Sequence, residues 1–405
     1  MHGEVGLDRP PLEGLTVLDL TTFLSGPFAT QLLADMGANV IKVEPPQGDS
    51  SRRIPPHFVD GDSAYFLAHN RNKRSVVLDL KNVRDVQRLS GMVAAADVVI
   101  ENFRPGVTTR LGIDPEFYCK QYPSLVWASI SGFGQTGARR DRPAYDMIVQ
   151  ALSGVMSLTG EPGRPAVRLG IPAGDVVAGM YSVIGLLALL TRVRSGGPGG
   201  QVDVSMLDSQ LTMLSYQAVY SMISNTAPLP QGAGHDSIPT YRSFVGSDGH
   251  ELVVTANTER MWTGLCDALE LPELLSDTRY ESGESRLKNK YTLWDVLEAR
   301  FSERPAAAWV DSLVTNGVPA ALIRSVPEAL SDARESGRNM VVSVVDEKRG
   351  RYEAVASPVK FVGTVEVRPT FPPRLGDDTD AVLAEFGINV AMATVVADSQ
   401  DRNES

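Results

Sequence analysis

The sequence predicts an α/β fold: a Rossmann-like large domain on a parallel sheet, joined to a smaller α+β domain. Three observations carry this. Through the first third, short β-branched runs alternate with stretches of helical period. At 405 residues the chain is longer than one compact core needs, so two domains are expected. Near Asn225 the character changes to a Pro- and Gly-rich stretch from Ala227 to Pro239 that has no helical period and reads as a linker or mobile loop.

Taken in order, Leu15 to Leu20 (LTVLDL) reads as a strand and Pro27 to Met36 as a helix opening on Gly26-Pro27. Asn39 to Val43 (NVIKV), Ser75 to Leu80, Asp97 to Ile100 and Leu125 to Ile130 follow as strands, with an amphipathic helix at Asp85 to Ala95. Strands separated by helices imply parallel βαβ units. Val176 to Val193 carries no charge apart from Arg192 and nearly reaches the length of a membrane span. It contains Gly179, Ser182 and Gly185 and stands alone, so a buried core helix is expected. A turn at Ser195 to Gly200 (SGGPGG) leads to a strand at Gln201 to Val204. Beyond the linker, Phe244-Val245 and Gly249 to Val254 form a hairpin pattern, followed by helical patterns at Glu259 to Leu269, Arg286 to Phe301 and Pro305 to Thr315. The domains are therefore set at 1–225, 226–325 and 326–405, the last returning to the large domain.

Several functions are excluded at this level. A formal net charge of −11 gives no basic footprint for nucleic acid or an anionic membrane surface. Cys119 and Cys266 stand far apart outside any CxxC spacing, which argues against a disulfide framework or a zinc site and fits a reducing cytoplasm. Met1 to Leu12 has no apolar h-region, so no secretory signal is expected. The first strand is followed by TTFLSGPF in place of GxGxxG, which rejects NAD or FAD, and SGGPGG lacks the Lys-Ser/Thr of a P-loop. Ser131 sits in SISGFG and not in the GxSxG elbow of a hydrolase.

Four blocks read together carry a resemblance: Val17 to Pro46, Asn70 to Lys81, Glu101 to Gly112 and Pro143 to Pro162. A fifth, Gly170 to Leu190 (GIPAGDVVAGMYSVIGLLALL), joins them. The chain resembles the class III coenzyme A transferase family (CaiB/BaiF type) over nearly its whole length. The resemblance implies a soluble cytoplasmic enzyme that moves CoA from an acyl-CoA donor, such as succinyl-CoA, to an acceptor carboxylic acid. It implies no metal, no cofactor beyond CoA itself as substrate, and no nucleic-acid or membrane partner. It also implies an interlocked homodimer, or a heteromer with a related subunit.

By the same resemblance Asp175 is the catalytic residue. By pattern alone, an Asp after Gly174 and before an apolar run is a helix N-cap signal, and the two readings are compatible. Leu78, Lys81, Asn102, Phe103 and Arg110 fall in the CoA-contacting blocks. Leu24, Tyr145, Asp146 and Gly234 fall on the substrate side. Pro45-Pro46 stands where the family often has a basic residue, which passes phosphate contact to Arg52 or Arg53. The glycine run of formyl-CoA transferase is reduced here to Gly232-Ala233-Gly234-His235, and Leu24 replaces a polar residue of that enzyme. The rival is an α-methylacyl-CoA racemase, which needs an acid/base group on each face of the α-carbon. In the racemases a His precedes the Asp where this chain has Tyr145, and no histidine is close in sequence to that block or to Asp175. A non-catalytic CoA-binding subunit is a further alternative, against which the presence of Asp175 counts.

Overall fold

The computed structural model describes residues 9–388. Residues 1–8, on which part of the signal-peptide reading falls, and 389–405, the end of the expected third segment, lie outside the described residues. The described residues form two compact units, one of residues 9–155, 168–219 and 337–388, the other of residues 156–167 and 220–336.

The larger unit is built on six strands: β1 (Thr16–Asp19), β2 (Asn39–Glu44), β3 (Lys73–Val77), β4 (Val98–Glu101), β5 (Val126–Ser131) and β6 (Gly200–Ser205). All pairings are parallel and the order is β3-β2-β1-β4-β5-β6. The strands are near-continuous apolar runs because both faces are covered. One face buries Val17, Val40, Ile100, Ala128 and Ile130, the other Leu18, Ile41, Val76, Val99 and Trp127. The chain runs from β1 outward to β2 and β3, then returns to place β4 on the other side of β1. That reversal opens a crevice beyond the carboxyl ends of β1 and β4, where ligands of such sheets bind.

Three helices frame the crevice: α1 (Ser25–Asp35), α2 (Asp146–Ser153) and α3 (Ala173–Arg194). Close approach fixes α3. A Cβ on Gly179 would lie 2.7 Å from the Ser25 carbonyl oxygen, and one on Gly185 would lie 2.6 Å from Val202. These glycines let α3 sit directly on α1 and β6. The expectation of a helix buried all round is corrected here. Ala178, Ser182, Val183 and Leu186 are buried, whereas Met180, Tyr181 and Ile184 are exposed at 43, 40 and 60%. Among the described residues α3 is the one helix long and apolar enough to cross a membrane, and it packs one side against the sheet layer.

After residue 337 the chain returns to this unit. An antiparallel hairpin pairs Val341–Asp346 with Gly350–Val355, and a last helix spans Thr379–Glu385. That segment closes the edge of β3: Ser75 N–H donates to Asp378 at 2.8 Å and Val77 N–H to Thr379 Oγ1 at 3.1 Å. Satisfying edge donors in this way removes a free pairing surface.

The smaller unit has its own antiparallel sheet, with Glu251–Thr255 between Tyr241–Val245 and Ala320–Leu322. Its core gathers Phe244, Leu265, Leu297, Phe301 and Trp309, and the Trp309 N–H donates to the Phe301 carbonyl at 2.8 Å. The helix expected over Arg286 to Phe301 divides into Gly283–Lys288 and Lys290–Phe301, with Asn289 at the junction.

Candidate active site

The crevice is built from four segments of the larger unit. After β1, residues 20–24 turn into α1, with Leu24 at its N-cap position, buried. After β4, Asn102 bonds back across the crevice: its Oδ1 accepts Thr22 N–H at 2.9 Å, and its Nδ2 donates to the Thr22 carbonyl at 2.8 Å. The beginnings of α2 and α3 supply Asp146 and Asp175.

Asp146 opens α2 and joins the two helices. Its Oδ1 accepts Gly174 N–H at 2.7 Å and its Oδ2 accepts Gln150 Nε2 at 2.6 Å. Gly174 is required at that contact, since a Cβ there would lie 2.5 Å from Gln210 Nε2 and 3.0 Å from Asp146 Oδ1. Asp175 lies in the first turn of α3, where the helix dipole favours an anion. It does not cap the helix, however. Pro172 occupies the cap position, which corrects the capping expectation. Burial pushes the Asp175 carboxyl up, the neighbouring Asp146 carboxylate pushes it further, and the hydroxyl and N–H of Ser25 pull it back, leaving it at about 7. A carboxylate at that balance point is half ionised at neutral pH, increasingly ionised above it, and poorly solvated, which suits a carboxylate nucleophile.

Two aromatic residues join this group without a signal in the sequence. Tyr65 is pushed up to about 12 by burial and by Asp175, with smaller contributions from Asp49 and Asp146. His69 stacks edge-on against Tyr65 and Phe28 and has a buried Nδ1 with no hydrogen-bond partner. Burial, with Lys73 and Arg71 nearby, lowers its pKa to about 4. Remote in sequence from Asp175, this histidine is brought by the fold beside a residue that senses it. Tyr145 is exposed at the N-cap of α2 and meets Phe23 edge-on at 6.2 Å.

The residues assigned to CoA contact divide. Asn102 and Phe103 sit at the crevice, and Phe103 N–H donates to Glu101 at 2.7 Å. Burial raises that Glu101 carboxyl to about 7. Arg110 and Lys81 are exposed, Arg110 ending a short helix and Lys81 donating its N–H to Asp79 at 3.0 Å. Leu78 is buried in the core on one face of the sheet. Gly234 belongs to the smaller unit, where it bridges to Arg242, beside a Gly232 whose N–H donates to the Gly160 carbonyl at 3.0 Å. Arg52 is not free for phosphate: it is buried, chelates Glu44 at 2.7 and 2.8 Å, reaches Asp62 at 2.9 Å and lies over the Phe66 ring. Arg53 is exposed and donates to the Gln47 carbonyl at 2.6 Å.

Fold and crevice together define an α/β protein with a crevice at the switch point of a parallel sheet and two carboxylates at the starts of the helices that frame it. The profile of CoA-transferase family III matches residues 12–379. The chain is 36% identical over 379 residues to succinyl-CoA:glutarate CoA-transferase of Mus musculus, spanning 93% of this chain and 86% of that one. It is 38% identical over 382 residues to acetyl-CoA:oxalate CoA-transferase of Acetobacter aceti, spanning 93 and 96%. A crystal structure of a CaiB/BaiF family protein from Brucella suis superposes with a TM-score of 0.83 at 33% identity, covering 94% of this chain and all of that one. The chain belongs to CoA-transferase family III, and it is an enzyme of that class.

Proposed function

We propose that the enzyme takes CoA from succinyl-CoA or a similar acyl-CoA and passes it to a small carboxylic acid through covalent intermediates on Asp175. The observation that carries this is the Asp175 carboxyl itself, in the first turn of α3 at the switch-point crevice, poised near neutrality by burial and by Asp146. An Asp175 oxygen attacks the thioester carbonyl and expels CoA thiolate, leaving an aspartyl-acyl anhydride. The thiolate adds to the aspartyl carbonyl and releases the donor acid. The acceptor carboxylate then enters the aspartyl-CoA thioester by the reverse sequence. The thioester is conserved throughout, so the cycle needs no ATP and no redox partner. The donor named for the glutarate relative supports succinyl-CoA as the first to try.

Asn102, Phe103 and the exposed Arg110 and Lys81 form the side on which CoA is expected to lie. Arg110→Ala should raise the KM for the CoA ester more than it lowers kcat, because a remote phosphate contact is made equally in ground and transition states. An unchanged KM would remove Arg110 from the site. Leu24, Tyr145 and Asp146 form the carboxylate side.

A second copy of the chain is the occupant we assign to the exposed face of α3. Met180, Ile184 and Leu187 line an apolar groove of about 1000 Å³ with Phe28, Met36 and Tyr352. A surface of this kind needs cover. The test of the whole reading is a transfer assay with labelled succinyl-CoA and a panel of mono- and dicarboxylic acids, followed by mass spectrometry of the new thioesters. New thioesters with no solvent deuterium at the α-carbon are expected. Deuterium exchange that rivals transfer would instead favour the racemase.

A further inference from the structure

Most of the backbone of the turn from β1 into α1 is held by buried or half-buried side chains from two strands and two loops. Thr21 N–H donates to Asp19 Oδ1 at 2.9 Å, and the Thr21 carbonyl accepts Lys42 Nζ at 2.8 Å. Both backbone groups of Thr22 are taken by Asn102, at 2.9 and 2.8 Å. Phe23 N–H donates to Asp49 Oδ1 at 3.4 Å, and Asp49 is paired with Lys42 at 2.9 Å. Phe23 itself sits at φ 63°, a left-handed conformation that bulky residues adopt only where their surroundings over-determine it.

What this clamp delivers is Ser25, the first residue of α1, which is 3% exposed. Its carbonyl oxygen packs on α3 one turn along from Asp175, where a Cβ on Gly179 would lie 2.7 Å away, and its N–H and hydroxyl favour the charged Asp175 carboxylate against burial. The Ser25 oxygen in turn accepts Asn102 Nδ2 at 3.3 Å. A hydroxyl has one hydrogen to give, and with Asn102 donating to its oxygen that hydrogen is left for Asp175.

We propose that Ser25 is a further catalytic residue, its N–H and hydroxyl receiving the negative charge that develops on the Asp175 side-chain oxygen, and that Asn102 positions that hydroxyl. The inference rests on Asp175 being the nucleophile. As the thiolate sulfur bonds to Cγ of the Asp175–acyl anhydride, the carbonyl π pair moves onto the oxygen facing Ser25. The carbonyl then re-forms, the C–O bond to the donor acyl group breaks, and that pair leaves with the donor carboxylate. In the second half the acceptor carboxylate oxygen adds to Cγ of the thioester, the same oxygen takes the charge, and thiolate leaves. Donors held before the reaction act at no reorganisation cost, hence the use of so many buried bonds on one turn.

The titratable groups facing Asp175 are Asp146 at the start of α2 and Tyr65 from the segment after β2. Asp146 disfavours its charge while Tyr65 stays a neutral phenol, so losing the Ser25 hydroxyl, which favours that charge, should also move the acid limb of the rate profile to higher pH. Ser25→Ala should lower kcat roughly 100-fold, the loss typical of one oxyanion donor, with the CoA-ester KM changed less than about threefold. Asn102→Ala should lower kcat by about 10-fold and shift the limb the same way, and it should add clearly less than that in the Ser25→Ala background. Ser25→Ala keeps Cβ and removes one atom, and thermal melting of each variant establishes that it is folded. Hydroxylamine trapping on the same variants separates the two claims. Wild-type kcat and pH profile in Ser25→Ala, with hydroxamate still at Asp175, would overturn the role of Ser25 alone. Full additivity of the two substitutions would overturn the role of Asn102. Hydroxamate at another residue would overturn Asp175 and the inference with it.

Discussion

Asp175→Asn is expected to leave the enzyme folded and to abolish CoA transfer. Asn matches Asp in shape, and Asp175 sits inside the first turn of α3 with Pro172 at the cap, so no capping bond is lost. Removing the charge also relieves its repulsion with Asp146, and the melting temperature should hold or rise. The amide, in contrast, cannot form an anhydride, so the loss of turnover should approach the full enzymatic acceleration, at least about 10⁴-fold. Asp175→Ala should be equally inactive and, for want of a cap to lose, close to Asn in stability. Steady-state transfer assays on variants with matched circular dichroism spectra decide the matter. A folded Asn variant that retains substantial transfer would remove Asp175 from the chemistry.

Asp19→Ala carries the largest expected effect on stability. Asp19 is wholly buried at the end of β1, accepts Lys73 Nζ at 3.0 Å and Thr30 Oγ1 at 2.7 Å, and lies beside Lys42. Burial alone would raise its pKa, but Lys73 and Lys42 overcome this and hold it well below the usual carboxylate range. Without it, two lysines are left in the interior with too little negative charge, and removing one partner of a buried pair costs about 3–5 kcal/mol. Chemical denaturation should register that loss. The pH dependence of the wild type follows the same network. Burial raises Glu44 and Asp49 but their cationic partners win, and like Asp19 they bind fewer protons folded than unfolded in acid. Their contribution is therefore present above the ordinary carboxylate pKa of about 4 and is lost as pH falls through the lower folded values. Lys73 has the opposite sign. Burial pushes it down to about 8, with Asp19 opposing and Lys42 adding. Between about 8 and 10.5 the unfolded chain binds the extra proton, so this group makes stability rise with pH there. A denaturation midpoint unmoved in Asp19→Ala would show that the lysines find other partners.

Much of this was legible in the sequence, and the parts that were not share a cause. Strand runs such as LTVLDL and NVIKV mark the sheet because apolar β-branched residues buried on two faces leave a local signature. The Asp175 block is legible by resemblance. The buried charges on β1, β2 and β3 are not. Asp19, Lys42 and Lys73 read as ordinary polar residues in or beside strand runs, and only the folded sheet brings them together: the parallel register sets Asp19 beside Lys42, and Lys73 Nζ reaches Asp19. Arg52 shows the same limit: beside Pro45-Pro46 it reads as a phosphate ligand, whereas Glu44 and Asp62 occupy it entirely. Tyr65 and His69 escape notice because nothing in their spacing links them to Asp175. The exposed face of α3 escapes for another reason. A helix apolar all round looks the same in sequence whether its second face meets its own chain or another.

The measurement closest to the central claim is covalent trapping on the wild-type enzyme. Incubation with an acyl-CoA and hydroxylamine, followed by digestion and tandem mass spectrometry, should yield a single hydroxamate in the peptide that spans α3, on Asp175. Borohydride in place of hydroxylamine should convert the same side chain to an alcohol, because it reduces the enzyme-bound thioester. Both products should vanish in Asp175→Asn. A hydroxamate on Asp146, Glu101 or any other residue, or rapid transfer with no adduct at all, would contradict the account.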